Sequence, residues 1–229
     1  MGAIGIFDSG VGGLTVLRRI AERLPDVPLV YLGDTARVPY GTKSGDTVVR
    51  YARGCANILL KRGVSMLVVA CNTASACALD VLRDELEVPV LGVIEPGARD
   101  AVRATRNGVV GVIGTSGTVS SGAYQQVIQA LAPTTRVLSQ ACPLFVPLAE
   151  EGWTEGPVPT AVAREYLGHL LEQGVDTLVL GCTHYPLLRG VIGEVMGNDV
   201  TLVDSADATA RVVQEVLEAI GDVATSEGD

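Results

Sequence analysis

Two cysteines occupy matching places in the two halves of this chain: Cys71 follows the run SMLVVA and Cys182 follows DTLVLG. A short, branched apolar run of this kind reads as a buried parallel strand. The helical pattern after each run puts the thiol at a strand end and a helix start. A thiol there meets the positive end of a helix dipole, which is expected to stabilise thiolate and bring its pKa below the free value of about 8.5. Two such thiols suggest a pair acting together. The residues beside them are unlike, since Asn72 and Thr73 follow Cys71 while Thr183 and His184 follow Cys182. An imidazole next to one thiol and, if the halves face each other, a carboxylate near the other would tune two bases differently. Such asymmetry suits a chiral substrate.

Other polar segments stand at similar junctions. Asp8-Ser9-Gly10-Val11-Gly12-Gly13 follows an apolar strand and precedes a helix, so its amides are placed to hold an anion. The spacing is not that of a dinucleotide fingerprint, and a carboxylate before the turn would repel a pyrophosphate. Asp8 can orient a ligand ammonium, relay a proton to a thiol, or cap the helix. TARVPYGTKS is a long polar connection in which Tyr40 and Gly41 are either ligand contacts or parts of a plain turn. Thr115 and Thr118 lie in the counterpart turn of the second half, with hydroxyls suited to a carboxylate or to a helix cap. Glu150 and Glu151 end the apolar stretch CPLFVPLAEEGW, and one of them is expected to face a cleft.

The elements that must position these residues alternate along the chain. AIGIFD, LTVLRRIAERL, PLVYLGD, TVVRYARGCANILLKRG and MLVVAC read as strand, helix, strand, helix, strand. That alternation implies an α/β fold with mostly parallel sheets flanked by helices. GVVGVIGTSGTVSSGAYQQVIQAL repeats the opening pattern, and both landmark offsets, Gly10 to Ser116 and Cys71 to Cys182, are about 106 to 111 residues. Two similar domains follow, expected at 1–95 plus 205–229 and at 96–204, with the active site in the cleft between them. The closing VATSEGD is expected to fray.

Composition narrows the function classes. Of 229 residues 48% are hydrophobic, enough for a substantial core, and the net charge is -9 with no basic stripe. Nucleic acid is not expected as a partner. No apolar run approaches the roughly 20 residues of a membrane span, and MGAIGIFDSG has no basic leader, so a cytoplasmic protein is expected. Five cysteines, an odd number, fit a reducing compartment, and without any CxxC no metal site is expected. Cys55, Cys77 and Cys142 read as small buried hydrophobes.

The strings GIFDSGVGGLTVL, YLGDTARVPYGTKS, VVACNTASA, GVIGTSGTVSSGAYQ, CPLFVPLAEEG and LVLGCTHYPLL together resemble the glutamate racemases, from about Ile4 to about Val213. The resemblance implies a cofactor-independent isomerase that interconverts L-glutamate and D-glutamate and supplies D-glutamate for peptidoglycan. It implies Cys71 and Cys182 as opposed catalytic thiols, assisted by Asp8, His184 and Glu150. Substrate contacts are implied at Asp8, Ser9, Tyr40, Gly41, Asn72, Thr73, Thr115, Thr118, Thr183 and His184. His184 favours glutamate over aspartate, because aspartate racemases usually carry an acidic residue there. Many members form homodimers, and a gyrase-inhibiting side role is known for some. The resemblance also implies a further strand and helix past the VDSA segment, which this sequence does not include. An exposed sheet edge or a less stable helix is therefore expected there.

Overall fold

The computed structural model describes residues 2–221. Its first half runs β1 (Ala3–Asp8), α1 (Leu14–Arg23), β2 (Leu29–Gly33), α2 (Gly45–Leu60), β3 (Val64–Val69), α3 (Asn72–Glu85) and β4 (Val90–Gly92). After α4 (Ile94–Ala104) come β5 (Val109–Gly114), α5 (Ser116–Ser120), α6 (Ala123–Leu131), β6 (Arg136–Ala141) and α7 (Phe145–Glu150). Then follow α8 (Pro157–Glu172), β7 (Thr177–Gly181), α9 (Arg189–Met196), β8 (Thr201–Asp204) and α10 (Ser205–Ala219). VATSEGD lies outside the described residues.

Each half is a four-stranded parallel sheet, ordered β2-β1-β3-β4 in one and β6-β5-β7-β8 in the other. The shared order is the tertiary form of the sequence repeat. The central strands are continuous apolar runs because helices cover both faces. Every residue of β7 is buried, as is every residue of β3 except Ser65. On the first sheet, α2 and α3 pack one face around Phe7, Leu59, Leu67 and Leu82, and α1 and α10 pack the other around Ile4, Ile6, Ile20 and Val68. On the second, α8 and α9 cover Ile113, Leu178 and Leu180, while α4 and α6 cover Val110, Val112 and Val179.

Two helices cross between the halves. α4 follows β4 of the first sheet yet packs on the second, and α10 follows β8 of the second sheet yet packs on α1 of the first. The apolar positions Ala206, Ala210, Val213 and Leu217 fall on one face of α10 at helical spacing. Asp204 starts that helix by accepting a hydrogen bond from the Ala206 amide at 3.2 Å. Burying Val213 and Leu217 contributes roughly 1.5–3 kcal/mol each toward holding the halves together. α7 sits inside CPLFVPLAEEGW, where the sequence showed only an apolar stretch, and β4 has three residues and no pattern of its own.

In both sheets the order reverses between the first and third strands, and such a switch point opens a crevice at the carboxyl ends of the strands. Those ends are Asp8, Val69, Gly114 and Gly181.

Candidate active site

The residues that follow these four strand ends, with Tyr40 and Gly41 from the segment after β2, line one narrow cavity between the halves. Ser9, Tyr40, Gly41, Cys71, Asn72 and Thr73 come from the first half, and Thr115, Cys182, Thr183 and His184 from the second. Val38, Pro39 and Val146 add an apolar lining that no sequence pattern singled out.

Cys71 is the N-cap residue of α3, and its sulfur accepts from the Ala74 amide at 3.5 Å. Cys182 departs from the expected strand-to-helix placement. A 3-10 turn, Tyr185–Leu188, follows it, and α9 begins only at Arg189. Pro186, without an N–H, stands at the start of that turn. The amides of His184 and Tyr185 still point at the Cys182 sulfur.

The expectation of depressed thiol pKa values is reversed. Burial pushes Cys71 up to about 12, and the Asp8 charge adds to it, against the amides of Ala74 and Ser9. Cys182 is pushed up as well, first by burial and then by the charges of Cys71 and Asp8. The dipole argument considered only local amides, whereas the folded chain removes nearly all water from both sulfurs. Both thiols line the same narrow cavity, and the Cys71 charge is among the causes that raise Cys182.

Asp8 is wholly buried behind the cavity wall rather than on it. Its Oδ2 accepts from the Gly10 amide at 2.9 Å and its Oδ1 from the Thr183 hydroxyl at 3.3 Å. The N-cap residue of α1 is Gly13, so Asp8 braces the turn instead of capping the helix. Burial raises its pKa, opposed by the Gly10 amide and the neighbouring His184.

His184 stands between a thiol and a carboxylate. Its Nδ1 lies 3.8 Å from Cys182 Sγ, and its Nε2 approaches Glu150 Oε1 to 3.3 Å without a well-formed hydrogen bond. Glu150 also lines the mouth of the cleft with Pro39, Gly41 and Thr115, whereas Glu151 lies on the outer side of α7 beside Trp153. Of the two acids, Glu150 is the one that reaches the site.

Three hydroxyls join the halves. Thr73 Oγ1 is 2.9 Å from Thr115 Oγ1 and 3.1 Å from Thr118 Oγ1, and the last two are 3.1 Å apart. Thr115 also caps α5, so the ligand reading and the capping reading describe the same residue. Tyr40 turns its hydroxyl away from the cavity, bonding it to Asp34 with Cys55 Sγ 3.8 Å away. Close approach of the halves depends on two glycines. A Cβ on Gly41 would lie 2.4 Å from Thr115 Cβ, and one on Gly12 would lie 2.5 Å from Thr183 Oγ1 and 2.7 Å from His184 Nδ1.

The profile of the Asp/Glu/Hydantoin racemase family matches residues 4–213. The chain belongs to that family. It is therefore an enzyme of the isomerase class. The glutamate racemase of Geobacter metallireducens is 62% identical to it over 215 residues, spanning 94% of this chain and 80% of that protein. The structure of a glutamate racemase isoform from Bacillus anthracis superposes with a TM-score of 0.94 at 41% identity, covering 98% of this chain and 84% of that one. The Francisella tularensis glutamate racemase, solved with D-glutamate, gives 0.92 at 36% identity, covering 99% and 84%.

In this racemase Cys55 and Cys142 are buried and Cys77 is half-buried, all away from the cavity, and His169 is exposed on α8. Among the described residues no group of three or more His, Cys, Asp or Glu side chains is placed to hold a metal ion, and no helix is long and apolar enough to cross a membrane. Sequence reasoning missed Tyr124 and Asp34. Both sit behind cavity residues, and only their hydrogen bonds reveal them.

Proposed function

We propose that this chain racemises glutamate without a cofactor, by proton transfer at Cα between Cys71 and Cys182, and that it supplies D-glutamate for peptidoglycan in the cytoplasm. The observation that carries this reading is the convergence of two thiols from equivalent strands on one cavity. One sulfur, as thiolate, takes the Cα proton from one face while the other, as thiol, delivers a proton to the opposite face. The reverse reaction exchanges the roles. The units 1–95 with 205–229 and 96–204 each contribute one of the two bases.

The Cα proton is weakly acidic, so a strong base and stabilised carbanionic charge are both needed. A buried thiol with a raised pKa is a strong base once ionised, and the substrate ammonium supplies the positive charge that favours ionisation. Asp8 draws that ammonium inward from behind the wall. Ser9, Gly41, Asn72, Thr73, Thr115 and Thr183 hold the carboxylates, with Thr118 behind Thr73 and Thr115, and the narrow apolar walls exclude water. His184, between Cys182 and Glu150, assists the second thiol.

Deuterium exchange at Cα in deuterated water, followed for L-glutamate, D-glutamate and L-aspartate with no added cofactor, tests this reading. Exchange and racemisation of both glutamate enantiomers, with aspartate inert, is the expected result. Exchange with aspartate alone would replace the substrate, and no exchange by a well-folded sample would overturn the reading.

A further inference from the structure

Asn72 is the first residue of α3, next to Cys71, and it lines the cavity. Its Oδ1 accepts a hydrogen bond from the Tyr124 hydroxyl at 2.7 Å. Its Nδ2 is fully buried and has no hydrogen-bond partner among the described residues. An asparagine amide rotated by half a turn exchanges its donor and acceptor ends while keeping its shape, so a neighbour has to decide which end faces a ligand.

Tyr124 is suited to decide it. It belongs to α6 of the other half, is 2% exposed, and has its ring edge against Gly181, the residue before Cys182. A Cβ on Gly181 would lie 3.1 Å from Tyr124 Cε2 and 2.6 Å from the Ile113 carbonyl oxygen, so the ring is seated where only glycine leaves room. The Ser205 side chain, at the start of α10, lies beside the phenol group. The phenol proton is committed to Asn72.

We propose that Tyr124 is a positioning residue that holds the Asn72 side chain with its N–H groups toward the cavity, ready to donate to a substrate carboxylate. The inference rests on the reading above that the cavity binds glutamate. Without the phenol proton, the amide can turn and present its carbonyl oxygen to the carboxylate, which repels it. A single side chain from one half thus sets the donor of the other half, and it does so only when the halves are closed.

Tyr124→Phe keeps the ring and deletes the hydroxyl. Its KM for L-glutamate should rise about fivefold to tenfold with kcat changed less than about twofold, the pattern of lost ground-state binding. In an Asn72→Ala background the same substitution should change KM less than about twofold, because the group being oriented is gone. A wild-type KM in Tyr124→Phe, or an equal rise in both backgrounds, overturns the positioning role. Should Tyr124→Phe fail to fold, a wild-type KM in Asn72→Ala overturns it instead, since the amide being positioned would then hold no substrate carboxylate. Wild-type protein inactive on glutamate overturns the functional reading as well, so the two failures are told apart.

Discussion

Cys71 lies just beyond β3 and caps a fourteen-residue helix, whereas Cys182 lies just beyond β7 and enters a 3-10 turn that delays α9 until Arg189. The first sulfur faces the Ser9 and Ala74 amides, the second those of His184 and Tyr185, with an imidazole nitrogen 3.8 Å away. The sheets place the two thiols equivalently, and the segments after the strands make their surroundings unequal. A Cα centre carries different groups toward its two sides, so opposed bases need matching positions but not matching neighbours. Asp8 belongs to neither side alone, since its charge raises both thiols.

The strongest way to break this comparison is to remove one thiol at a time. If each turnover uses both bases, as proposed, Cys71→Ala and Cys182→Ala should each lower racemisation by at least about a thousandfold despite their different surroundings. Circular dichroism should show both variants folded, and a variant retaining a tenth of wild-type turnover would end the equivalence.

Smaller effects separate the sides. Gly12→Ala drives a methyl group against Thr183 and His184 and displaces the Cys182 side, for an expected loss of about a hundredfold in kcat. Gly41→Ala meets Thr115 instead, so it should hold the halves apart and act chiefly on KM. Steady-state kinetics on the two variants distinguish these outcomes.

The smallest expected effect is on stability at alkaline pH. Cys71 ionises near 12 in the folded chain and near 9.0 when exposed, so the folded state keeps a proton that the unfolded state has lost between those values. Stability is then full below about pH 9 and falls by about 1.4 kcal/mol per pH unit for this one group until about pH 12. Urea unfolding between pH 8 and pH 10.5 should show a shallower loss for Cys71→Ala than for the wild-type chain.

The positions of Cys71, Asn72, Thr115 and Cys182 were legible because each follows an apolar strand run, and strand ends in a parallel sheet gather at one edge. The thiol pKa was misread because it depends on burial, which neighbours distant in the chain provide. Tyr124 and Asp34 carried no signal, since each acts through one hydrogen bond on a residue that touches the cavity. Glu150 and Glu151 were indistinguishable until α7 turned one toward His184 and the other outward. Gly12 read as part of an anion-binding turn, and the crowding that requires it comes from the opposite half.

By itself the sequence determined the α/β alternation, the doubled strand-thiol unit and the unlike residues after each thiol, because these are patterns of near neighbours. Only the tertiary structure decided that the thiols share one cavity, that burial makes them weak acids, and that α4 and α10 cross between the halves. Those outcomes depend on contacts between segments roughly a hundred residues apart, where packing and the exclusion of water act.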